Sequence, residues 1–228
     1  MKTNGVLKAA RTILRADPGE IDTFRDAPVG NIVDALGRTA AMSADIKPVT
    51  RAHGFIGPVL TVDAGPRDNL APWAALRLAR PGDVMVIATG GHRDHSVSGD
   101  LLVGMAKNAG VVAVVTDGMV RDRSGLDAAG IPVFAAGLHP NSPQKNGPGS
   151  VGLPITCGGL AIEPGDIVAG DEDGVVIIPS ARIVEAREAL LVVRDKEAKT
   201  EAVVAAGATA PDWVSAATLD DLFTFVDA

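Results

Sequence analysis

The feature that most constrains the fold of this chain is a run of three short apolar segments separated by two helical ones. Strands are predicted over residues 84–88, 111–115 and 131–135, and helices over 100–109 and 124–129. Strands that alternate with helices pair in parallel through right-handed crossovers. Short runs without polar residues are typical of strands that are buried on both faces. The sequence therefore predicts an α/β protein built on a parallel sheet.

Further elements are predicted on both sides of this run. Helices are expected from Pro18 behind an Asp17 cap, over 29–36, from 69 to about 79 behind an Asp68 cap, and over 181–206 behind a Ser180 cap. Strands are expected over 57–62, 151–157, 159–162, 167–170 and 174–178, and loops over 89–98 and 137–149. With 228 residues the chain is long enough to bury a sizeable core.

Composition narrows the class of protein. The net charge of −7 argues against a general nucleic-acid binder, which usually carries a basic face. The single cysteine, Cys157, has no partner for an internal disulfide and suits a reducing compartment. No run of 18 apolar residues and no signal peptide is evident. We therefore expect a cytoplasmic protein that binds neither membrane nor nucleic acid.

Several common chemistries lack their sequence signatures. The chain has no Gly-x-Gly-x-x-Gly fingerprint, no lysine-bearing phosphate loop, no Gly-x-Ser-x-Gly elbow and no His-Glu-x-x-His helix. His92 and His95 are expected to be loop residues that shape the mouth of a pocket, with substrate contact as the alternative. Cys157 lies in a strand-like run and is expected to be buried as a small apolar residue.

Charged residues stand at both ends of a helix–strand unit. Asp100 begins the predicted helix, and Arg121, Asp122 and Arg123 follow the next strand, so these residues can meet at one edge of the fold. Asp100 is either an ordinary acidic residue at a helix start or part of a carboxylate-binding turn of free N–H groups. The group from Arg121 to Arg123 is either a surface ion-pair cluster or a site in which Asp122 binds a hard cation beside Arg121.

The spacing of these residues resembles a known family. Twenty residues separate Asp100 from Arg121, which gives Asp-x20-Arg-Asp within Gly-Asp-Leu-Leu and Val-Thr-Asp-Gly-Met-Val-Arg-Asp. In this the chain resembles the RraA-like family, which holds class II 4-hydroxy-4-methyl-2-oxoglutarate (pyruvate) aldolases and the regulator of ribonuclease activity A. The resemblance covers about residues 29–207 and includes Asp34-Ala-Leu-Gly, Asn141-Ser-Pro and Pro164-Gly-Asp-Ile-Val.

The resemblance implies an architecture. We expect a swivelling β/β/α domain with flanking N- and C-terminal helices, formed as a single domain over residues 1–228 with a helical extension over about 208–228. Catalytic members of the family assemble as trimers or hexamers with active sites between subunits. A homotrimer or homohexamer is therefore expected here.

It also implies roles for individual residues. Asp122 would bind a divalent metal, Mg²⁺ or Mn²⁺, directly, and Asp100 would act through bound water. Arg121 would contact the substrate, with Arg121 and Asp100 as the catalytic pair. The backbone of Gly99, Asp100, Leu101 and Leu102 would hold the substrate carboxylate. Glu197 of a neighbouring subunit, on the long C-terminal helix, would face the metal through water.

The function implied is that of a metal-dependent lyase. It would cleave a carbon–carbon bond of a 2-oxo acid and release pyruvate through an enolate, as a 4-hydroxy-4-methyl-2-oxoglutarate-type aldolase with oxaloacetate decarboxylase activity. Ser98 stands where catalytic relatives often carry a bulky residue, and the loop 92–95 also departs from the commonest form; the choice of substrate is expected to lie at these positions. The alternative is a non-catalytic regulator of a ribonuclease that acts by binding protein.

Overall fold

The structure is a computed structural model and describes residues 6–214, 218, 222–224 and 226. The chain divides into two compact units, Met1–Leu190 and Leu191–Ala228. The first unit holds the sheet and the predicted site. The single-domain organisation over 1–228, with an extension from about 208, stays a prediction.

Short strands and six α-helices make up the described residues. The strands are β1 (Leu7–Ala9), β2 (Lys47–Pro48), β3 (Phe55–Asp63), β4 (Val84–Ala88), β5 (Ser96–Ser98), β6 (Ala113–Thr116), β7 (Met119–Val120), β8 (Val133–Ala135), β9 (Gly137–Leu138), β10 (Gly149–Val151), β11 (Ile155–Cys157), β12 (Leu160–Ile162), β13 (Ile167–Asp171) and β14 (Gly174–Ile178). The helices are α1 (Pro18–Asp22), α2 (Val29–Ala35), α3 (Leu70–Ala75), α4 (Asp100–Asn108), α5 (Arg123–Ala129) and α6 (Ile183–Ala205).

The centre of the main sheet is parallel, as the alternation of apolar and helical segments predicts. Strands β3, β4, β6 and β8 lie side by side and run in the same direction. All five residues of β4 are buried, because the sheet is covered on both faces. On the other side of β3 the sheet continues through antiparallel β10 to β1. Because these four strands are parallel, their carboxyl ends lie at one edge of the sheet.

The second face of the sheet is covered by further strands. The hairpin β13–β14, with its Asp171–Gly174 turn, pairs with β3, and β11 pairs with β12. Alternate residues of β4 divide between two apolar clusters: Met85 and Ile87 pack on the side of α4 and α5, and Val84 and Val86 on the side of β11–β14. The result is a layer of helices, a central sheet and a second β layer. The predicted β/β/α class is confirmed.

A small parallel sheet, not predicted from the sequence, lies beyond the ends of the central strands. It consists of β5, β7 and β9, which are only two or three residues long. Strand β5 falls in the predicted loop 89–98, and β9 falls in the predicted loop 137–149. Strands this short have no periodicity that a sequence pattern could detect.

Two predicted helix boundaries are wrong. Helix α3 ends at Ala75 rather than near Ala79, because the next turn closes through i→i−3 bonds from the N–H groups of Arg77 and Leu78. Its N-cap is Asn69, although the Asp68 carboxylate does accept the Leu70 N–H at 2.8 Å. Ser180 does not cap α6, because it is the first residue of a 3₁₀ turn, Ser180–Arg182, that precedes the helix. Its N–H donates to Asp166 Oδ1.

The remaining helix predictions hold within a residue or two. Asp17 and Glu20 form a capping box on α1, and Pro18 is the first helical residue. Helix α6 buries Ile183, Ala186 and Leu190, which lie on one helical face. Part of the helical extension expected over about 208–228 lies outside the described residues. Within the described chain, no helix combines the length and the apolar character that crossing a membrane requires.

Candidate active site

The small parallel sheet joins the two halves of the predicted site. Strands β5 and β7 pair so that Ser98 lies beside Val120, and the Arg121 N–H donates to the Ser98 carbonyl at 3.1 Å. Helix α4 begins at Asp100, directly after β5, and helix α5 begins just after Asp122. The twenty residues between Asp100 and Arg121 therefore leave the site along α4 and return to it along β6.

Two glycines bring the carboxylates against the backbone. A β-carbon on Gly99 would stand 2.5 Å from Asp122 Oδ2, so the Asp122 carboxylate fills the space that a side chain would need. A β-carbon on Gly125, in α5, would likewise stand 2.4 Å from Asp100 Oδ2. Each carboxylate thus packs against a glycine at the start of the opposite helix. The acidic residues predicted to meet do lie at one place.

Gly99, Asp100 and Asp122 line a cavity of about 180 Å³. Its lining contains every residue of the first unit that the sequence assigned to the site, together with Ser98 and residues from two other segments. The lining residues are Asn69, Trp73, Ser96, Ser98, Gly99, Asp100, Leu101, Leu102, Arg121, Asp122, Ser142, Pro143 and Lys145. Glu197 lies on α6 in the second compact unit, and its role stays a prediction.

Asp122 is held in an unusual backbone conformation. Its φ of 63° and ψ of 46° are left-handed, which few residues other than glycine adopt without cost. It occupies the N-cap position of α5, yet its side chain accepts no hydrogen bond from the helix. Its Oδ2 instead accepts from Arg121 Nε at 3.2 Å. The carboxylate is therefore directed to the cavity and not to helix capping, the usual structural reason for an acidic residue there.

The N-terminus of α4 is partly occupied by its own first residue. Asp100 Oδ1 accepts the Leu101 N–H at 2.7 Å. One of the backbone amides predicted to hold a substrate carboxylate is therefore already bonded. Leu102 is buried and Leu101 is 70% exposed, so the amide turn lies at the boundary between core and solvent.

The oxygen atoms present suit a hard divalent cation. Each of the two carboxylates has one oxygen that accepts no hydrogen bond from the described residues: Oδ2 of Asp100 and Oδ1 of Asp122. Carboxylate oxygens are the ligands that Mg²⁺ and Mn²⁺ prefer, and Mg²⁺ commonly binds through one or two carboxylates while it keeps several waters. The described residues contain no cluster of three or more ligating side chains. The donor set therefore fits an ion that remains partly hydrated.

Cationic groups on the same wall suit an anionic ligand. The Arg121 Nη1 donates to Ser142 Oγ, so the loop 139–146 holds the guanidinium in place. Lys145, from the same loop, also lines the cavity. The cavity thus combines two carboxylates with two cations, an arrangement in which a metal and an acidic substrate can be bound together.

Sequence reasoning did not assign six of the lining residues to the site: Asn69, Trp73, Ser96, Ser142, Pro143 and Lys145. Asn69 and Trp73 come from the start of α3, about 30 residues before Gly99, and Lys145 from the loop 139–146. No motif or spacing links these segments to α4. A tertiary contact does: Asn69 Nδ2 donates to the Val97 carbonyl, in β5, at 3.2 Å.

The other chemistry-bearing residues lie elsewhere. His92 and His95 contact each other, with Nε2 and Nδ1 3.3 Å apart, and neither lines this cavity. Burial, Arg67 and His92 lower the pKa of His95 below its ordinary value. Cys157 is buried, as predicted, and burial raises the pKa of its thiol, which leaves it unreactive. A larger cavity of about 500 Å³, lined in part by Lys8, Asp63 and Pro148, contains none of the predicted site residues.

These observations define the class: an α/β protein with β/β/α layers, in which two carboxylates and an arginine line one cavity. Comparison with known proteins gives the family. The RraA-like family, described as Aldolase/RraA, matches residues 29–177. The chain belongs to this family, as its sequence resemblance indicated.

One relative and two solved structures illustrate the similarity. The relative, from Halalkalibacterium halodurans, is named "Putative 4-hydroxy-4-methyl-2-oxoglutarate aldolase"; it is 39% identical over 162 residues, which are 71% of this chain and 77% of the relative. RraAS2 of Streptomyces coelicolor, described as an unusual member of the RNase ES inhibitor RraA protein family, is 25% identical with a TM-score of 0.71 over 82% of this chain and 98% of its own. The RNA-processing inhibitor RraA of Thermus thermophilis is 28% identical with a TM-score of 0.62, over 68% of this chain and 93% of its own.

Proposed function

We propose that this protein is a divalent-metal-dependent lyase that cleaves a carbon–carbon bond of a 2-oxo acid and releases pyruvate. The observation that carries the proposal is the convergence of Asp100, Asp122 and Arg121 on one cavity, with each carboxylate seated against a glycine. The similarity to a protein named as an aldolase supports the same class of reaction. The aldolase substrate we favour is a 4-hydroxy-2-oxo acid of the 4-hydroxy-4-methyl-2-oxoglutarate type.

The chain's own residues contribute binding and charge stabilisation. The guanidinium of Arg121, fixed by Ser142 and Asp122, is placed to hold the 2-oxo oxygen on which negative charge develops as the bond breaks. The donors at the start of α4 and the Lys145 ammonium favour binding of an acidic substrate. Because aldol cleavage and decarboxylation of oxaloacetate both leave the enolate of pyruvate, one site can serve both reactions.

Asp122 is the residue we assign to direct binding of Mg²⁺ or Mn²⁺, with Asp100 acting through water. When bound, the ion supplies Lewis-acid polarisation of the 2-oxo group, which is worth several kcal/mol. The left-handed backbone of Asp122 supports this role, because strain of this kind is concentrated at functional sites.

The site is proposed to be completed by a second copy of the chain. In the homotrimer or homohexamer that we expect, Glu197 of a neighbouring subunit would face the metal through water. Glu197 is exposed on α6, in keeping with a residue that acts outside its own subunit.

The experiment that tests the proposal is an assay of pyruvate release from oxaloacetate and from a 4-hydroxy-2-oxo acid. Protein treated with EDTA is compared with the same protein reloaded with Mg²⁺ or Mn²⁺. We expect turnover of both substrates with metal and its loss without metal. Equal rates before and after EDTA, or no pyruvate from either substrate, would overturn the proposal.

A second candidate is a regulator of a ribonuclease that acts by protein binding. Its support is the similarity to two proteins described as RNA-processing or RNase inhibitors. A protein-binding surface does not require two carboxylates and an arginine around one cavity, so we prefer the lyase. Tight binding to a ribonuclease together with absence of metal-dependent pyruvate release would reverse this preference.

A further inference from the structure

Two residues that line the site cavity each carry a buried polar atom without a hydrogen-bond partner. Among the described residues, three buried side-chain nitrogen or oxygen atoms have no hydrogen-bond partner: Thr61 Oγ1, Asn69 Oδ1 and Trp73 Nε1. The last two belong to residues that line this one cavity. A buried polar group without a partner destabilises the fold, so such groups require an explanation.

Asn69 and Trp73 are placed on the same side of one helical turn. Asn69 stands at the N-cap position of α3. The backbone N–H of Trp73 donates to the backbone carbonyl of Asn69 at 3.3 Å, so the two residues are separated by one turn. Asn69 is 6% exposed, and its amide is oriented by the bond from Nδ2 to the Val97 carbonyl. The Oδ1 acceptor of Asn69 stays unpaired, and so does the Nε1 donor of Trp73, one helical turn further along.

We propose that Asn69 and Trp73 recognise a hydroxyl group of the substrate and thereby determine its specificity. An unpaired acceptor and an unpaired donor are satisfied together by a group that both donates and accepts, which a hydroxyl does and a carboxylate or methyl group does not. This inference rests on the proposed lyase function and refines its substrate class. It selects 4-hydroxy-2-oxo acids over oxaloacetate, which has no hydroxyl group.

The cavity wall must adjust slightly for this contact. Both atoms are buried, so a hydroxyl in the cavity would reach them only after a displacement of these side chains. Sites built to hydrogen-bond a hydroxyl reject analogues that lack it, because the polar groups of the site are then left unpaired. The preference is therefore expected to be sensitive to removal of either partner.

The first test measures the ratio of kcat/KM for a 4-hydroxy-2-oxo acid to that for oxaloacetate, with metal-loaded protein. Trp73→Phe removes the indole donor and retains an aromatic ring. We expect it to lower the ratio by about 10-fold to 100-fold. Trp213→Phe, at an exposed tryptophan of the second unit, is the matched control and should leave the ratio unchanged. An unchanged ratio in Trp73→Phe overturns the inference.

The second test does not depend on turnover. The chain has two tryptophans, so ¹⁵N-labelled protein gives two indole N–H signals, which the two phenylalanine variants assign. Addition of the 4-hydroxy-2-oxo acid should shift the Trp73 signal, and the same acid without its hydroxyl should not. Equal shifts with both acids, or none with either, refute hydroxyl recognition. Failure of the lyase proposal shows separately, as absence of pyruvate release by the unmodified protein.

Discussion

The carboxylate of Asp122 occupies the position that a side chain on Gly99 would need: the missing β-carbon would stand 2.5 Å from Oδ2. The same β-carbon would stand 3.2 Å from Cγ of Arg121. Both residues proposed to bind metal and substrate are therefore packed on the backbone of Gly99. The glycine is required by the close approach of a side chain, since its own φ of −147° is available to any residue.

Gly99→Ala should therefore impair catalysis more than folding. The added methyl group displaces the Asp122 carboxylate, and misplacement by about 1 Å can cost about 100-fold in rate. The measurement is kcat/KM for pyruvate release, together with urea unfolding. Gly104→Ala is the control, because a β-carbon there meets nothing within 4 Å, and the α4 helix should gain about 0.5–1 kcal/mol. Equal activity in the two variants would contradict the packing argument.

Asp122→Asn should separate charge from backbone conformation. Asparagine tolerates the left-handed region, so the fold of the variant should be nearly unchanged. Its binding of Mn²⁺, measured by calorimetry, should be lost. Asp122→Ala should lose the metal, and its unfolding free energy should fall by about 1 kcal/mol, because a positive φ is less favourable for alanine than for aspartate. Full Mn²⁺ affinity in the asparagine variant would exclude Asp122 as a ligand.

Arg121→Ala should lower kcat by about 10²-fold to 10³-fold, equivalent to about 2.7–4 kcal/mol for a lost oxyanion donor. Arg121→Lys should recover little, because the bonds to Ser142 and Asp122 use the forked geometry of a guanidinium. The neighbouring Arg123 does not line the cavity, so Arg123→Ala serves as the control for loss of a positive charge. A similar loss in both alanine variants would point to a general electrostatic effect.

His95 should make the protein less stable in mild acid. Burial, with Arg67 and His92, lowers the pKa of its imidazole below 6.5, and Asp94 opposes this only in part. As the pH falls below 6.5 the unfolded chain takes up the proton first, so the unfolding free energy decreases until the folded-state pKa is passed. His95→Gln should reduce the difference in stability between pH 8 and pH 5, measured by urea unfolding. An unchanged difference would show that the folded chain leaves this pKa unaltered.

The parts of the fold that could be predicted are those with a local signal. The apolar run of β4 can be recognised from a few consecutive residues, and so can Gly130, which ends α5 with φ 77°. The order of helix and strand predicted that Asp100 and Asp122 can meet at one edge of the fold, and both line one cavity. Their roles in binding metal stay a prediction.

The parts that could not be predicted depend on contacts between distant segments. Strands β5, β7 and β9 are too short for a pattern and are defined by their pairing with one another in a separate sheet. Asn69 and Trp73 reach the cavity only because Asn69 binds the Val97 carbonyl, 28 residues away in sequence. The predicted Ser180 cap is wrong because Ser180 begins a 3₁₀ turn, and the first N–H of that turn is bonded by Asp166, 14 residues earlier in the sequence.

The pairing of β5 with β7 also fixes a length. Since Ser98 and Arg121 are joined by a backbone hydrogen bond, the segment between them is a closed circuit of one helix and two strands, α4, β6 and β7. Inserting or deleting one residue in this circuit would reverse the side-chain alternation that leads through β7 to Arg121 and Asp122, or rotate Asp100 about α4 by roughly 100°. Substitutions within the circuit are therefore tolerable where changes of length are not. The geometry of the site therefore depends on the twenty-residue spacing between Asp100 and Arg121.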